Sequence, residues 1–170
     1  MELKKLHNSF YADNAKVEQA LDFDTESGTW SSGKVRGHGV VQISVNSLTF
    51  AIPVRSYIKH NASFILEVNR QRRDVKGMGL DYSKALLITK AEHISTSTFL
   101  LKSKAAGKKL VDKEAHVTAQ FNKYVEKYTS AVQKADRRIL QSPEYRFTTL
   151  INYHCELGLR EAAPEAAVPA

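Results

Sequence analysis

The sequence predicts an α+β fold: a compact antiparallel, partly open β-barrel with helical additions and a long C-terminal helix. Two observations carry this. Four strand-like runs follow one another closely between residues 39 and 89, a spacing that favours an antiparallel sheet over a βαβ array. The period then changes, and Val117, Phe121, Tyr124, Tyr128, Val132, Ala135 and Ile139 recur every three or four residues, the apolar stripe of an amphipathic helix. With 170 residues, a single domain over 1–160 and a flexible tail over 161–170 are expected.

In chain order, a short amphipathic segment is expected to start at the N-cap candidates Asp13 or Asn14, with Val17, Ala20 and Leu21 on one face. Residues 25–33 are rich in Ser, Gly and Thr and read as a loop. Residues 39–45 form the first strand and Asn46-Ser47 supplies a turn into a second, 48–52. Residues 63–68 and 85–89 are the third and fourth. The long helix runs over 111–140 until Pro143 ends it. A further helix over 146–157 turns Phe147, Leu150, Ile151 and His154 to one side, with Gly158 as its C-terminal cap.

Composition narrows the function classes. Hydrophobic content of 42% and charged content of 25% exclude wholesale disorder. The single cysteine, Cys155, excludes an internal disulfide framework and fits a reducing cytosol. Met1-Glu2-Leu3-Lys4-Lys5-Leu6-His7 lacks the apolar core of a signal peptide, and no apolar run approaches ~18 residues. A cytoplasmic protein without membrane contact is expected.

The net charge of +7 is local. Residues 55–109 hold twelve Lys or Arg against four Asp or Glu, whereas the segments before and after are nearly balanced. Arg70, Arg72, Arg73 and Lys76 form one cluster; Lys102, Lys104, Lys108 and Lys109 form another. Such concentration points to an anionic partner, and nucleic acid fits better than a membrane because no amphipathic helix carries these charges.

Several motifs fail. Ala105-Ala106-Gly107-Lys108-Lys109 lacks the first glycine and the Ser/Thr of a phosphate loop. Lys76-Gly77-Met78-Gly79-Leu80 has no third glycine at dinucleotide spacing and reads as a turn. The six histidines are scattered, so neither a metal nor a cofactor is expected.

One segment carries chemistry: Ile52-Pro53-Val54-Arg55-Ser56-Tyr57-Ile58-Lys59-His60. Proline is confined to strand edges and ends, so the chain is expected to leave the sheet after Pro53. That places Arg55, Ser56, Lys59 and His60 on an exposed turn. A guanidinium, a hydroxyl and an ammonium together suit phosphate.

Four pieces together resemble one family. They are Phe10-Tyr11, a Gly-hydrophobic strand after about Arg36, Phe50-Ala51-Ile52-Pro53-Val54-Arg55-Ser56 followed by Lys59-His60, and Gly79-Leu80-Asp81-Tyr82-Ser83-Lys84-Ala85-Leu86. Over roughly residues 10–157 the chain is similar to the toxins of type III toxin–antitoxin systems, the ToxN/AbiQ-like endoribonucleases. The resemblance implies a barrel related to the MazF/Kid toxins. It also implies metal-independent cleavage of cellular or phage RNA, giving 2′,3′-cyclic phosphate and 5′-hydroxyl ends. An antitoxin RNA, a repeated pseudoknot that the toxin itself processes, would inhibit the enzyme in a cyclic protein–RNA hetero-oligomer.

One departure stands out. Better-known members carry Thr-Ser and then Lys two residues after the serine, whereas here Arg55 precedes Ser56 and Lys59 follows three residues on. Ser56 carries over as such, and Arg55 and Lys59 as roles, which places the chain on a divergent branch nearer the Tenp or Cpt subgroup. Arg55 and Lys59 would stabilise the charge of the transition state, with Ser56 orienting phosphate or ribose. His60 and His38 are the chemically natural candidates for the proton acceptor and donor that cleavage needs. Tyr11 and Arg36 would stack a base or bind phosphate, and the two basic clusters would line the groove for the antitoxin RNA. Asp81 to Lys84 reads as structural. The alternatives are a non-catalytic RNA-binding β-barrel protein and a MazF-type toxin with a protein antitoxin.

Overall fold

The computed structural model describes residues 1–159, so the expected tail over 161–170 lies outside the described residues. In chain order these hold β1 (Leu3–Leu6), α1 (Asn8–Asp13), β2 (Phe23–Asp24), β3 (Thr29–Trp30), β4 (His38–Gln42), β5 (Thr49–Ile58) and β6 (Ser63–Val68). There follow β7 (Gly77–Asp81), β8 (Leu86–Ile88), β9 (Ile94–Thr98), α2 (Lys104–Lys109), α3 (Glu114–Gln133) and α4 (Arg137–Leu140). The class is α+β, as expected. Seven strands form one antiparallel sheet in the order β6-β7-β5-β4-β1-β9, with β8 also on β5, and the sheet does not close into a barrel. Strands β2 and β3 form a separate hairpin, of which β3 lies inside the expected loop over 25–33.

The central strand corrects one expectation. Pro53 does not end β5, which continues to Ile58. The Val54 N–H donates to Gly37 O on the β4 side, and donors alternate along a strand. The donor that Pro53 lacks would therefore face the opposite edge. There β8 pairs with Thr49 to Ala51 and β7 with Val54 and beyond, while a 3₁₀ turn, Tyr82–Lys84, swings out between them. No ladder bond is lost, which is how proline is tolerated mid-strand. A register shift between Arg55 and Ile58 then bulges the strand at Ser56 and Tyr57.

Strand β7 replaces the turn expected at Lys76 to Leu80. Its glycines are set by crowding: a Cβ at Gly79 would stand 2.1 Å from Phe64 O, and one at Gly77 1.8 Å from Glu67 O. Only residues without a side chain let β6 approach this closely.

Helix α3 lays Val117, Phe121, Tyr124, Val125, Tyr128 and Ala131 onto the sheet, where Phe121 meets Phe50 edge-on at 5.2 Å. Both rings are fully buried, and truncating either to Ala costs roughly 3–5 kcal/mol. The expected continuous helix over 111–140 is broken. Asp112 takes a positive φ before α3, and Ala135 takes one after it. Beyond α3 the N–H groups of Ala135 and Asp136 return to Val132 O and Ala131 O, the Schellman ending normally built on glycine. Asp136 then caps α4 through Ile139 N.

Two other helices are corrected. No helix forms where the first was expected, from Asp13 or Asn14 onward; instead α1 precedes that segment, from Asn8 behind the His7 cap to Asp13. Val17 and Ala20 are buried as expected, but Gln19 and Asp22 adopt positive φ, so this stretch turns instead of coiling. Over 146–157 the structure has turns and one 3₁₀ segment, Thr149–Asn152. There the Thr148 hydroxyl accepts from Leu150 N, a local bond that competes with helix, and the Thr149 hydroxyl reaches across the fold to Ser83 O. Phe147 and Ile151 are left exposed. No helix among the described residues is long and apolar enough to cross a membrane.

Candidate functional site

Two clusters flank Pro53. The first is a cleft of about 430 Å³. Tyr11 comes from α1, Trp30 from β3, Arg36 and His38 from the entry to β4, and Lys84 from the 3₁₀ turn after β7. Lys5 and Lys34 add two more ammonium groups, and Asp22 is the one carboxylate in the lining. The positive φ at Asp22 turns its side chain to Arg36, which grips both oxygens: Nη2 is 2.9 Å from Oδ1, and Nε donates to Oδ2. Burial pushes the Asp22 carboxyl up, but the Arg36 bonds and charge outweigh it and hold it below the usual carboxylate range. Arg36 Nη1 also donates to Val54 O at 3.1 Å. Arg36 is thus a clamp between the Asp22 loop and β5.

Tyr11 packs edge-on against Trp30 at 5.2 Å. Burial and then Asp22 raise the Tyr11 phenol, so at neutral pH it keeps its proton and can donate. His38 is 3% exposed, and burial brings its imidazole down to about 4. It is a neutral wall group at pH 7 and a weak base. The Lys84 ammonium donates to Gln19 O at 2.8 Å and Phe147 O at 2.7 Å, tying two loops to the cleft floor, and burial lowers it to about 8.

The second cluster is centred on Asp81, at the end of β7. Its carboxylate is fully buried. Oδ1 accepts from Ser83 N at 3.0 Å and Ser83 Oγ at 2.7 Å, and His60 Nε2 stands 3.2 Å away. Oδ2 accepts from Arg55 Nη1 at 2.9 Å. Burial raises the Asp81 carboxyl, but the bonds from His60, Ser83 and Arg55 prevail and keep it below its ordinary value. Facing a carboxylate, His60 Nε2 carries the proton; Nδ1 is sealed from solvent without a partner. Arg55 is one-third exposed, and among the described residues its Nε and Nη2 make no bond, so part of its fork stays open toward solvent.

The structure therefore splits the expected site. Tyr11, Arg36 and His38 share the cleft. Arg55 and His60 meet at Asp81, while Ser56 sits exposed on the bulge of β5. Lys59 turns to Asp74 at 2.9 Å. Arg72 holds the same carboxylate, and these two cations draw it down to about 2. Arg70, Arg73 and Lys76 are exposed in the loop between β6 and β7. Lys102, Lys104 and Lys108 are exposed before and within α2, and Lys109 Nζ donates to Leu66 O on β6. Both basic clusters thus adjoin β6, the edge strand.

Sequence reasoning missed Asp81, Ser83, Lys84, Asp22, Lys5, Lys34 and Trp30 as site groups. Asp81-Tyr82-Ser83 carries a usable signal, a carboxylate two residues before a hydroxyl, the pattern of a side-chain-capped turn. Compared with known protein families, curated proteins and solved structures, the chain matches none.

Proposed function

We propose that the chain is a metal-independent endoribonuclease of the type III toxin kind, with an opened MazF/Kid-like sheet as its scaffold and cytoplasmic RNA as its substrate. The observation that carries the reading is the cleft, whose lining holds Lys5, Lys34, Arg36 and Lys84 against a single carboxylate, together with Tyr11 and Trp30. Cations with aromatic faces suit a ribonucleotide strand. The ribose 2′-oxygen attacks phosphorus and loses its proton to water. The bond from phosphorus to the 5′-oxygen breaks and that oxygen takes a proton from water, leaving a 2′,3′-cyclic phosphate and a 5′-hydroxyl. Arg55 supplies its free N–H groups to the phosphoryl oxygens, Ser56 orients the phosphate and Lys59 adds charge. Asp81 and His60 are positioning residues that act through Arg55. Arg70, Arg72, Arg73 and Lys76, with the cluster near α2, hold the repeated pseudoknot of an antitoxin RNA.

The test is incubation of the purified protein with a labelled single-stranded RNA in excess EDTA, with analysis of product ends. Cyclic phosphate ends that disappear with Ser56→Ala and Arg55→Ala support the reading. RNA left intact, or cleavage insensitive to both substitutions, contradicts it. The burial of His38 and His60 favours a second reading, a non-catalytic RNA-binding protein, which predicts RNA binding without cleavage in the same assay.

A further inference from the structure

Tyr57 sits on the bulge of β5, 58% exposed. Among the described residues its ring meets no other aromatic and its hydroxyl makes no hydrogen bond. Strand bulges re-aim side chains, and here the strand leaves a large aromatic group in solvent beside a dense positive field. The loop between β6 and β7 is pinned next to it. Lys76 N donates to Ile58 O at 2.7 Å, Asn69 N donates to Lys76 O at 2.9 Å, and Asn69 Oδ1 accepts from Gln71 N and Arg72 N. Asp74 ties the loop to Lys59 and occupies Arg72. Arg70, Arg73 and Lys76 have no acidic partner among the described residues.

We propose that Tyr57 is a stacking platform for one unpaired nucleobase of an RNA strand, whose flanking phosphates lie on Arg70, Arg73 and Lys76. The inference rests on the RNA reading above and deepens it, because a stacked base makes this rim selective for single strands. A duplex presents phosphates but hides the faces of its bases. Base–aromatic stacking tolerates sequence, so the platform selects strandedness and not a base.

The experiment is fluorescence anisotropy with fully 2′-O-methylated 12-nucleotide RNA, single-stranded and duplex, which cannot be cleaved through the 2′-oxygen. Tyr57→Ala is expected to weaken single-strand binding on the order of ten-fold and leave duplex binding and the melting temperature unchanged. Tyr57→Trp is expected to retain affinity, and its indole emission to be quenched on binding beyond any change from Trp30. Equal loss for both RNAs overturns stacking and leaves electrostatics alone. Unchanged affinity in Tyr57→Ala, with wild type still binding RNA, overturns this inference alone and points the patch toward a protein partner. Wild type that binds neither RNA overturns both this inference and the reading beneath it.

Discussion

Arg55 and Asp81 meet across the ladder between β5 and β7, Nη1 2.9 Å from Oδ2, one partner partly exposed and the other fully buried. The buried member anchors the outer one. Two oxygens serve four donor groups, from Arg55, His60 and Ser83, and this fixes a guanidinium at the surface with donors to spare.

Removing the anchor is expected to be costly. Asp81→Ala leaves His60 and Ser83 as buried donors without their shared acceptor, and each such unsatisfied group costs roughly 1–3 kcal/mol. Urea denaturation of wild type and variant measures this. The Asp81 carboxyl lies lower in the folded than in the unfolded chain. Its contribution is therefore present above the unfolded value, near 4, and is lost as pH falls below it.

His38 titrates in a different window. Its folded value is about 4 against an ordinary 6.5, so the unfolded chain binds the proton first. Stability is expected to fall as pH drops from about 6.5 toward 4, by about 3 kcal/mol in all. His38→Leu should flatten that limb of the stability–pH curve, followed by urea midpoints at half-unit pH steps.

Ala135 is a non-glycine residue at the left-handed position that ends α3. Ala135→Gly removes the Cβ clash at that conformation, worth about 1 kcal/mol, and is expected to raise the melting temperature. Gly79→Ala should act in the opposite direction, because its Cβ would meet Phe64 O at 2.1 Å. Overpacking costs roughly 1–3 kcal/mol, and a backbone atom cannot move aside as a side chain can.

Much of the frame was legible in the sequence, and the failures have causes. The residues of β6 coincide with the expected run, β8 lies inside its run, and α3 follows its stripe, because one buried face imposes a period. Strand β7 was hidden by glycines that serve close strand approach and resemble a turn. Strand β9, Ile-Ser-Thr-Ser-Thr, is a polar edge without alternation in apolarity. The break after α3 uses alanine, so no glycine marks it. At the site, the Arg55 to His60 segment stood out for its cations and hydroxyl, but Asp81 lies 26 positions from Arg55. Only the register of β5 on β7 brings them together. Asp22 meets Arg36 through a turn at positive φ that no glycine marks.

Phosphate binding by the loop between β6 and β7 should appear in salt dependence. Arg73→Glu is expected to lower the slope of log affinity against log salt by about 0.7 for each single-strand phosphate that the side chain no longer neutralises. RNA binding titrated between low and moderate salt measures the change, and an unaltered slope would remove Arg73 from the interface.

The most direct measurement is the single-turnover rate of RNA cleavage by Arg55→Ala against wild type, in EDTA and at saturating protein. Arg55→Lys serves as a companion that keeps the charge and loses the fork. The expected result is a rate lower by about 10²–10³-fold for Arg55→Ala, a smaller loss for Arg55→Lys, and RNA affinity within a few-fold of wild type. Equal rates for all three proteins would contradict the assignment of the Arg55 and Asp81 pair to phosphate chemistry.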